Sequence, residues 1–173
     1  MTEDAVTAAE SYGMDRERII AEDGLSVAFP APEVGVAYGP FSGIWLSAYQ
    51  YRSSGRGAAY AGKHYVSVMQ RGVVLSVRSL PASKSQLAIN MSVNGRVATG
   101  TWAEQTQGDG YYRGAVYTGA LQLIESEDSQ SLSGSWVGFG KEGEINTGAW
   151  SLTLVEADIS DAAIERWNRA ADD

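Results

Sequence analysis

The 173 residues contain no cysteine and a single histidine, His64. Without cysteine there is no disulfide scaffold, no Cys-ligated zinc or iron–sulfur site and no thiol nucleophile. With one histidine, a Ser-His-Asp triad could form only through His64, and a multi-histidine metal site is impossible. No apolar run approaches the ~20 residues that a membrane helix needs. No basic stripe is present to neutralise phosphates. Neither a membrane nor a nucleic acid is therefore an expected partner. The chain also lacks a G-x-G-x-x-G after a strand, a P-loop lysine and a close carboxylate cluster on a regular element, so no cofactor and no metal is expected. Glu125, Glu127 and Asp128 share one loop and read as solvated surface. The opening MTEDAVTAAE has neither the basic nor the apolar region of a secretory signal, which makes a cytoplasmic protein the expectation.

What is present suits one globular domain: 44% hydrophobic residues, 20% charged and 20 glycines. The net charge of −8 is unevenly spread. Residues 1–24 hold seven acids against two bases, and 156–173 hold six against two, whereas the body between them is nearly balanced. Either the acidic ends are solvated surface, or one of them docks on body cations such as Arg52, Arg56, Lys63, Arg71 and Arg78.

From Phe41 to Val155 the dominant period is two, broken by glycine, serine and asparagine at the spacing of short antiparallel strands. The pattern predicts eight strands, over about 42–52, 62–70, 73–80, 85–93, 96–105, 111–124, 131–139 and 145–155. Asn94-Gly95 marks a tight hairpin. Gly-x-Trp occurs four times, ending at Trp45, Trp102, Trp136 and Trp150. Residues two apart in a strand share a face, so each motif sets a glycine beside an indole. Four indoles on one face, with glycines permitting tight coiling, favour an all-β closed antiparallel barrel of eight strands over a sandwich.

The flanks differ from the body. Residues 2–23 have helical spacing, and 25–41 are apolar but broken by Pro30, Pro32 and Pro40. Together they read as a helical, proline-broken lid over 1–40, followed by a barrel over 41–156. Ser160 can cap a short C-terminal helix from Asp161 to about Ala170, within 157–173, with Ile164 and Trp167 on the face that packs outside the barrel.

If the indoles point inward, parity carries Tyr49 and Tyr51 inward with Trp45, Glu104 with Trp102, and Leu152 and Leu154 with Trp150. The sixth strand then shows Arg113, Tyr117, Leu121 and Leu123 to the interior. Strand two is open to either reading, and Val66 and Val68 favour the His64 side as inner. A one-residue slip would exchange the faces. The expected interior is aromatic with few polar groups, which is the character of a small-molecule pocket. Trp45, Tyr49, Tyr51, Trp102, Tyr117, Trp136 and Trp150 are its candidate binding residues. Glu104, Arg113 and His64 are its candidate catalytic groups. A Glu104–Arg113 pair would hold an acidic head group or simply be a satisfied ion pair.

The runs GIWLSAYQYRSSGRG…GKHYVSVMQRG, VATGTW, YYRGAVYTGALQL and SGSWVGFGKEGEINTGAWSLTLV resemble the C-terminal domain of many actinobacterial helix-turn-helix regulators. That resemblance covers about two-thirds of the chain. It implies a lipocalin-like (calycin-type) barrel and small-ligand sensing. The acidic, proline-broken N-terminal piece holds no helix-turn-helix, so a transcription-factor role is not expected. A lidded eight-stranded barrel is also similar in architecture to the small-barrel Diels–Alder cyclases that form spirotetramates and spirotetronates in polyketide antibiotic pathways.

Two functions are therefore carried forward. One is cofactor-independent cyclisation of a hydrophobic polyketide-like substrate, such as a polyene tetronate or tetramate, in which enclosure of the folded chain supplies most of the rate. The other is non-catalytic binding or sensing of a small hydrophobic ligand. Protein contacts through 25–41 are a third, remoter reading.

Overall fold

Period-two alternation with one apolar face leaves a long antiparallel sheet two ways to hide that face, and this chain closes the sheet on itself. The computed structural model describes residues 38–53, 58–110, 112–140 and 143–171. The expected helix over 2–23, nearly all of the apolar segment 25–41 and any docking of the N-terminal acids lie outside those residues. Eight strands follow in order: β1 (Gly43–Ser53), β2 (Ala58–Arg71), β3 (Val74–Ser79), β4 (Gln86–Asn94), β5 (Val97–Gln105), β6 (Val116–Glu125), β7 (Ser131–Phe139) and β8 (Ile145–Glu156). Each pairs antiparallel with its sequence neighbour, and β1 pairs with β8 to complete a closed barrel. The expected all-β, eight-stranded antiparallel barrel with a short C-terminal helix is the fold observed.

Strand parity settles which residues face inward. Trp45, Val66, Val68, Leu75, Val77, Leu87, Ile89, Met91, Trp102, Leu121, Leu123, Leu132, Trp136, Trp150 and Leu152 form one buried cluster, with Tyr49, Tyr51 and Tyr117 packed against it. An eight-stranded barrel is just wide enough for such side chains to fill. The His64 side of β2 is indeed the inner one, since His64, Val66 and Val68 are buried together.

One end of the barrel is shut. Phe41, 6% exposed, joins the interior cluster just before β1, and its carbonyl accepts a hydrogen bond from Trp45 Nε1 at 3.0 Å. Gln70, near the end of β2, ties this entering strand down. Its Oε1 accepts from Phe41 N at 3.0 Å, its own N donates to Ser42 Oγ at 2.9 Å, and its carbonyl accepts from Gly39 N at 3.2 Å. The buried amide is thus satisfied while it fixes the plug.

Helix α1 (Asp161–Trp167) lies outside the barrel, as its pattern predicts. Ser160 Oγ caps it by accepting from Ala163 N at 3.3 Å. It covers a second, smaller cluster of Ile44, Tyr65, Leu80 and Ala163. Trp167 sits 4.8 Å from the Tyr65 ring, donates to Glu156 Oε2 at 2.6 Å, and is flanked by an Arg166–Glu156 ion pair.

Two local expectations are corrected. The β4–β5 hairpin turns on Gly95-Arg96, with Asn94 still in the strand. A single left-handed residue suffices there, and Gly95 supplies it at φ 60°. The sixth strand starts at Val116 rather than 111. Arg113 and Gly114 adopt φ of 51° and 73°, and successive turns (Gly110 N to Gln107 O, Arg113 N to Gly110 O, Ala115 N to Tyr112 O) coil the chain where the aromatic pair Tyr111-Tyr112 promised a strand.

Candidate functional site: the aromatic open end

The plugged end is lined by aliphatic side chains and the opposite half by aromatic ones, because the Gly-x-Trp motifs of β5, β7 and β8 and the tyrosines of β1 and β6 fall toward the β1–β2, β3–β4, β5–β6 and β7–β8 connections. The indoles fit because glycines on neighbouring strands stand opposite them. Trp102 pairs with Gly119, Trp136 with Gly148 and Trp150 with Gly134. A β carbon at Gly119 would come within 2.7 Å of Trp102 Nε1, and one at Gly138 within 2.7 Å of the same indole. For Trp102 and Trp136 the glycine that makes room is thus on a neighbouring strand, not the motif's own glycine two residues earlier.

The three indoles meet edge to face rather than stacked. Trp102 meets Trp136 at 5.4 Å and 86°, and Trp150 at 5.8 Å and 60°. Trp150 continues to Tyr49 at 5.0 Å, and Tyr49 to His64 at 6.0 Å with the rings edge to face. Tyr51 stacks on Tyr60 at 5.6 Å, and Tyr117 meets Tyr112 edge-on at 5.9 Å. Two indole N–H groups are satisfied, Trp136 by Gln50 O at 2.9 Å and Trp150 by Ser47 Oγ at 3.0 Å. Trp102 Nε1 is buried with no hydrogen-bond partner among the described residues.

Glu104 is the polar centre of this half. It lies on the inner face of β5, opposite Tyr117 on β6 and Leu87 on β4. Its Oε1 accepts from Tyr49 OH at 2.8 Å and from Ser85 Oγ at 2.6 Å. Burial, and then the adjacent Glu104 charge, push the Tyr49 phenol well above its usual value, so Tyr49 is a neutral donor. His64 has the opposite shift: burial lowers it from 6.5 to about 4, which keeps the imidazole neutral near pH 7. Its Nε2 is buried without a hydrogen-bond partner among the described residues.

The structure gathers Tyr49, Tyr51, His64, Trp102, Glu104, Tyr117, Trp136 and Trp150 into this half, while Trp45 sits deeper, against the Phe41 plug at 6.3 Å. Arg113 is not among them. It is exposed in the β5–β6 loop at a left-handed φ, not on the inner face of a strand. The Glu104–Arg113 pair is therefore replaced by two hydroxyl donors, Tyr49 and Ser85. Sequence reasoning missed Ser85, Tyr60 and Tyr112: the expected strand 85–93 gives the serine the parity of inward Leu87, a signal not drawn on, although Ser85 precedes β4, and the tyrosines become relevant only through ring contacts. Among the described residues no three His, Asp or Glu side chains gather as a metal site, and no helix is long and apolar enough to cross a membrane.

No protein-family model matches the chain, and no curated protein matches it. Among solved structures, a tryptophan-to-alanine mutant of the vaccine antigen Transferrin Binding Protein B from Haemophilus parasuis aligns at 13% identity with a TM-score of 0.42. The alignment covers 66% of this chain and 26% of that one, so the chain spans about a quarter of the length of the protein it matches.

Proposed function

We propose that the aromatic half of the barrel is its open half and binds a small, largely hydrophobic molecule. The observation that carries this reading is the floor of three inward indoles, Trp102, Trp136 and Trp150, beneath half-buried Tyr49, Tyr51, Tyr117 and Glu104. Aromatic side chains with a few convergent polar groups are the usual lining of a small-molecule site, and here the indoles, 2–7% exposed, form its base under the half-buried tyrosines. Small-ligand sensing, implied by the resemblance to regulator domains, agrees with it.

The test is a titration with N-phenyl-1-naphthylamine, an uncharged fluorophore that accepts energy from tryptophan. One-to-one binding with sensitised emission is expected, weakened by Tyr117→Ala and unaffected by Phe139→Ser on the exposed outer face. No binding, or binding lost only in Phe139→Ser, would overturn the reading.

Cyclisation of a polyene in the same half requires more than enclosure, because a group must polarise the reacting carbonyl. With Arg113 outside, the unpartnered Nε2 of His64 is the group that favours this second reading. Incubation with linear polyene tetronates or tetramates decides it. A product of unchanged mass and new retention time, formed in excess over protein, is catalysis, and stoichiometric capture of unaltered compound is binding alone.

A further inference from the structure

The inner faces of the strands in the open half carry aromatic rings, small residues, one histidine and one formally charged residue, Glu104. Among the described residues, the cations near this end, Lys63, Lys84 and Arg113 included, are exposed. Arg113 is exposed in a loop, and Lys63, adjacent to inward His64, is on the exposed outer face of β2. His64 is held neutral by burial.

A half-buried carboxylate is costly unless its charge is balanced, and two hydroxyl bonds to a single oxygen balance it only in part. Tyr49 and Ser85 both donate to Oε1, and Oε2 takes no hydrogen bond from the described residues. Glu104 shares the inner face of β5 with Trp102 and is bonded to Tyr49, whose ring lies 5.0 Å from Trp150, itself 5.8 Å from Trp102. Aromatic faces are the negative side of the ring quadrupole and attract a cation lying within about 6 Å of the ring centroid. Carboxylate and rings thus contribute the same sign of potential, and an acidic head group such as a tetronate or tetramate would meet it as repulsion.

Resting on the binding reading above, we infer that the ligand of the open half is a lipophilic organic cation, an aryl or alkyl ammonium, with Glu104 as its counter-ion and the Trp102–Trp150–Tyr49 rings as its cage. The hydrophobic body of the ligand lies over the indoles and its ammonium group against Glu104. Tyr49 and Ser85 position the carboxylate, so that its oxygens need no rearrangement on binding.

The experiment compares three benzyl probes on the full chain by tryptophan fluorescence: benzyltrimethylammonium, its uncharged isostere neopentylbenzene, and the smaller phenylacetate anion. The cation is expected to bind most tightly and the anion least. Glu104→Gln keeps an oxygen to accept from Tyr49 and Ser85. It should weaken the cation about tenfold or more, a change of about 1.4 kcal/mol, and weaken neopentylbenzene by a smaller factor. Equal binding of cation and isostere, preference for the anion, or an unchanged cation affinity in Glu104→Gln overturns the inference and leaves hydrophobic binding standing. If none of the three binds, the binding reading fails and this inference with it. If Glu104→Gln does not fold, the three-probe ranking on the unaltered protein decides alone.

Discussion

Trp136 and Gly148 face each other across β7 and β8, and a β carbon at position 148 would stand 2.7 Å from the indole Nε1 and collide with the carbonyl oxygen of Gln50. That carbonyl is the acceptor of the indole's own hydrogen bond. A methyl group there therefore displaces both partners of a satisfied buried bond, and the neighbouring strand cannot give way without breaking its pairing.

Gly148→Ala should accordingly destabilise the barrel by about 1–3 kcal/mol or more, the usual cost of overpacking a tight interior. Gly108→Ala, where the added carbon meets nothing within 4 Å, is the control and should be neutral. Urea unfolding of the two variants checks this. Equal stabilities would mean that the sheet relaxes at β8 more easily than its contacts imply.

Tyr49 and Ser85 donate to the same oxygen of Glu104, so their contributions should not add. Tyr49→Phe and Ser85→Ala should each cost about 1–3 kcal/mol, the range for hydrogen bonds to a charged group. The double variant should depart from the sum by at least about 0.5 kcal/mol. A double-mutant cycle from chemical denaturation reads this directly, and strict additivity would show that the two donors act independently.

His64 predicts a pH dependence with a definite sign. Its folded pKa, about 4, lies below the unfolded value of 6.5. Between these values the unfolded chain binds the proton and the folded one does not, so stability falls as the pH falls through that window and flattens below it. The slope approaches about 1.4 kcal/mol per pH unit. Above pH 6.5 the group has no effect. In His64→Gln that slope should vanish between pH 6.5 and 4, leaving the carboxylates to act lower down. Thermal melts across the range are the measurement, and an unchanged slope would place the titrating group elsewhere.

Much of this barrel was legible in the sequence because its inner face obeys strict alternation. Leu87, Ile89, Met91 and Val93 on β4 admit no other face, and Trp102 carried Glu104 inward by parity alone. The reading failed where alternation stops being the rule. Arg113 shares parity with Tyr117, but parity applies only while the backbone is extended, and Gly114 ends that. The clue was present, since Gly110 and Gly114 bracket the tyrosine pair. Aromatic β propensity outweighed it. The partners of Glu104 were missed for a different reason: Tyr49 reads as inward and Ser85 has the parity of Leu87, but which inward groups meet across the barrel is decided only by its closure. The same holds for Gln70, whose amide is surface-like in composition yet fastens the plug from within.

The plug has a kinetic meaning. With Phe41 seated against Trp45 and fastened through Gln70, the β1-entry end of the barrel interior is filled by side chains. In the binding mode proposed above, a guest would therefore have to arrive and depart through the aromatic end alone, the part that entered last being released first. A molecule longer than the aromatic half keeps its trailing end in water while its leading end is gripped. Occupancy is then readable from outside, by any macromolecule that recognises the protruding portion.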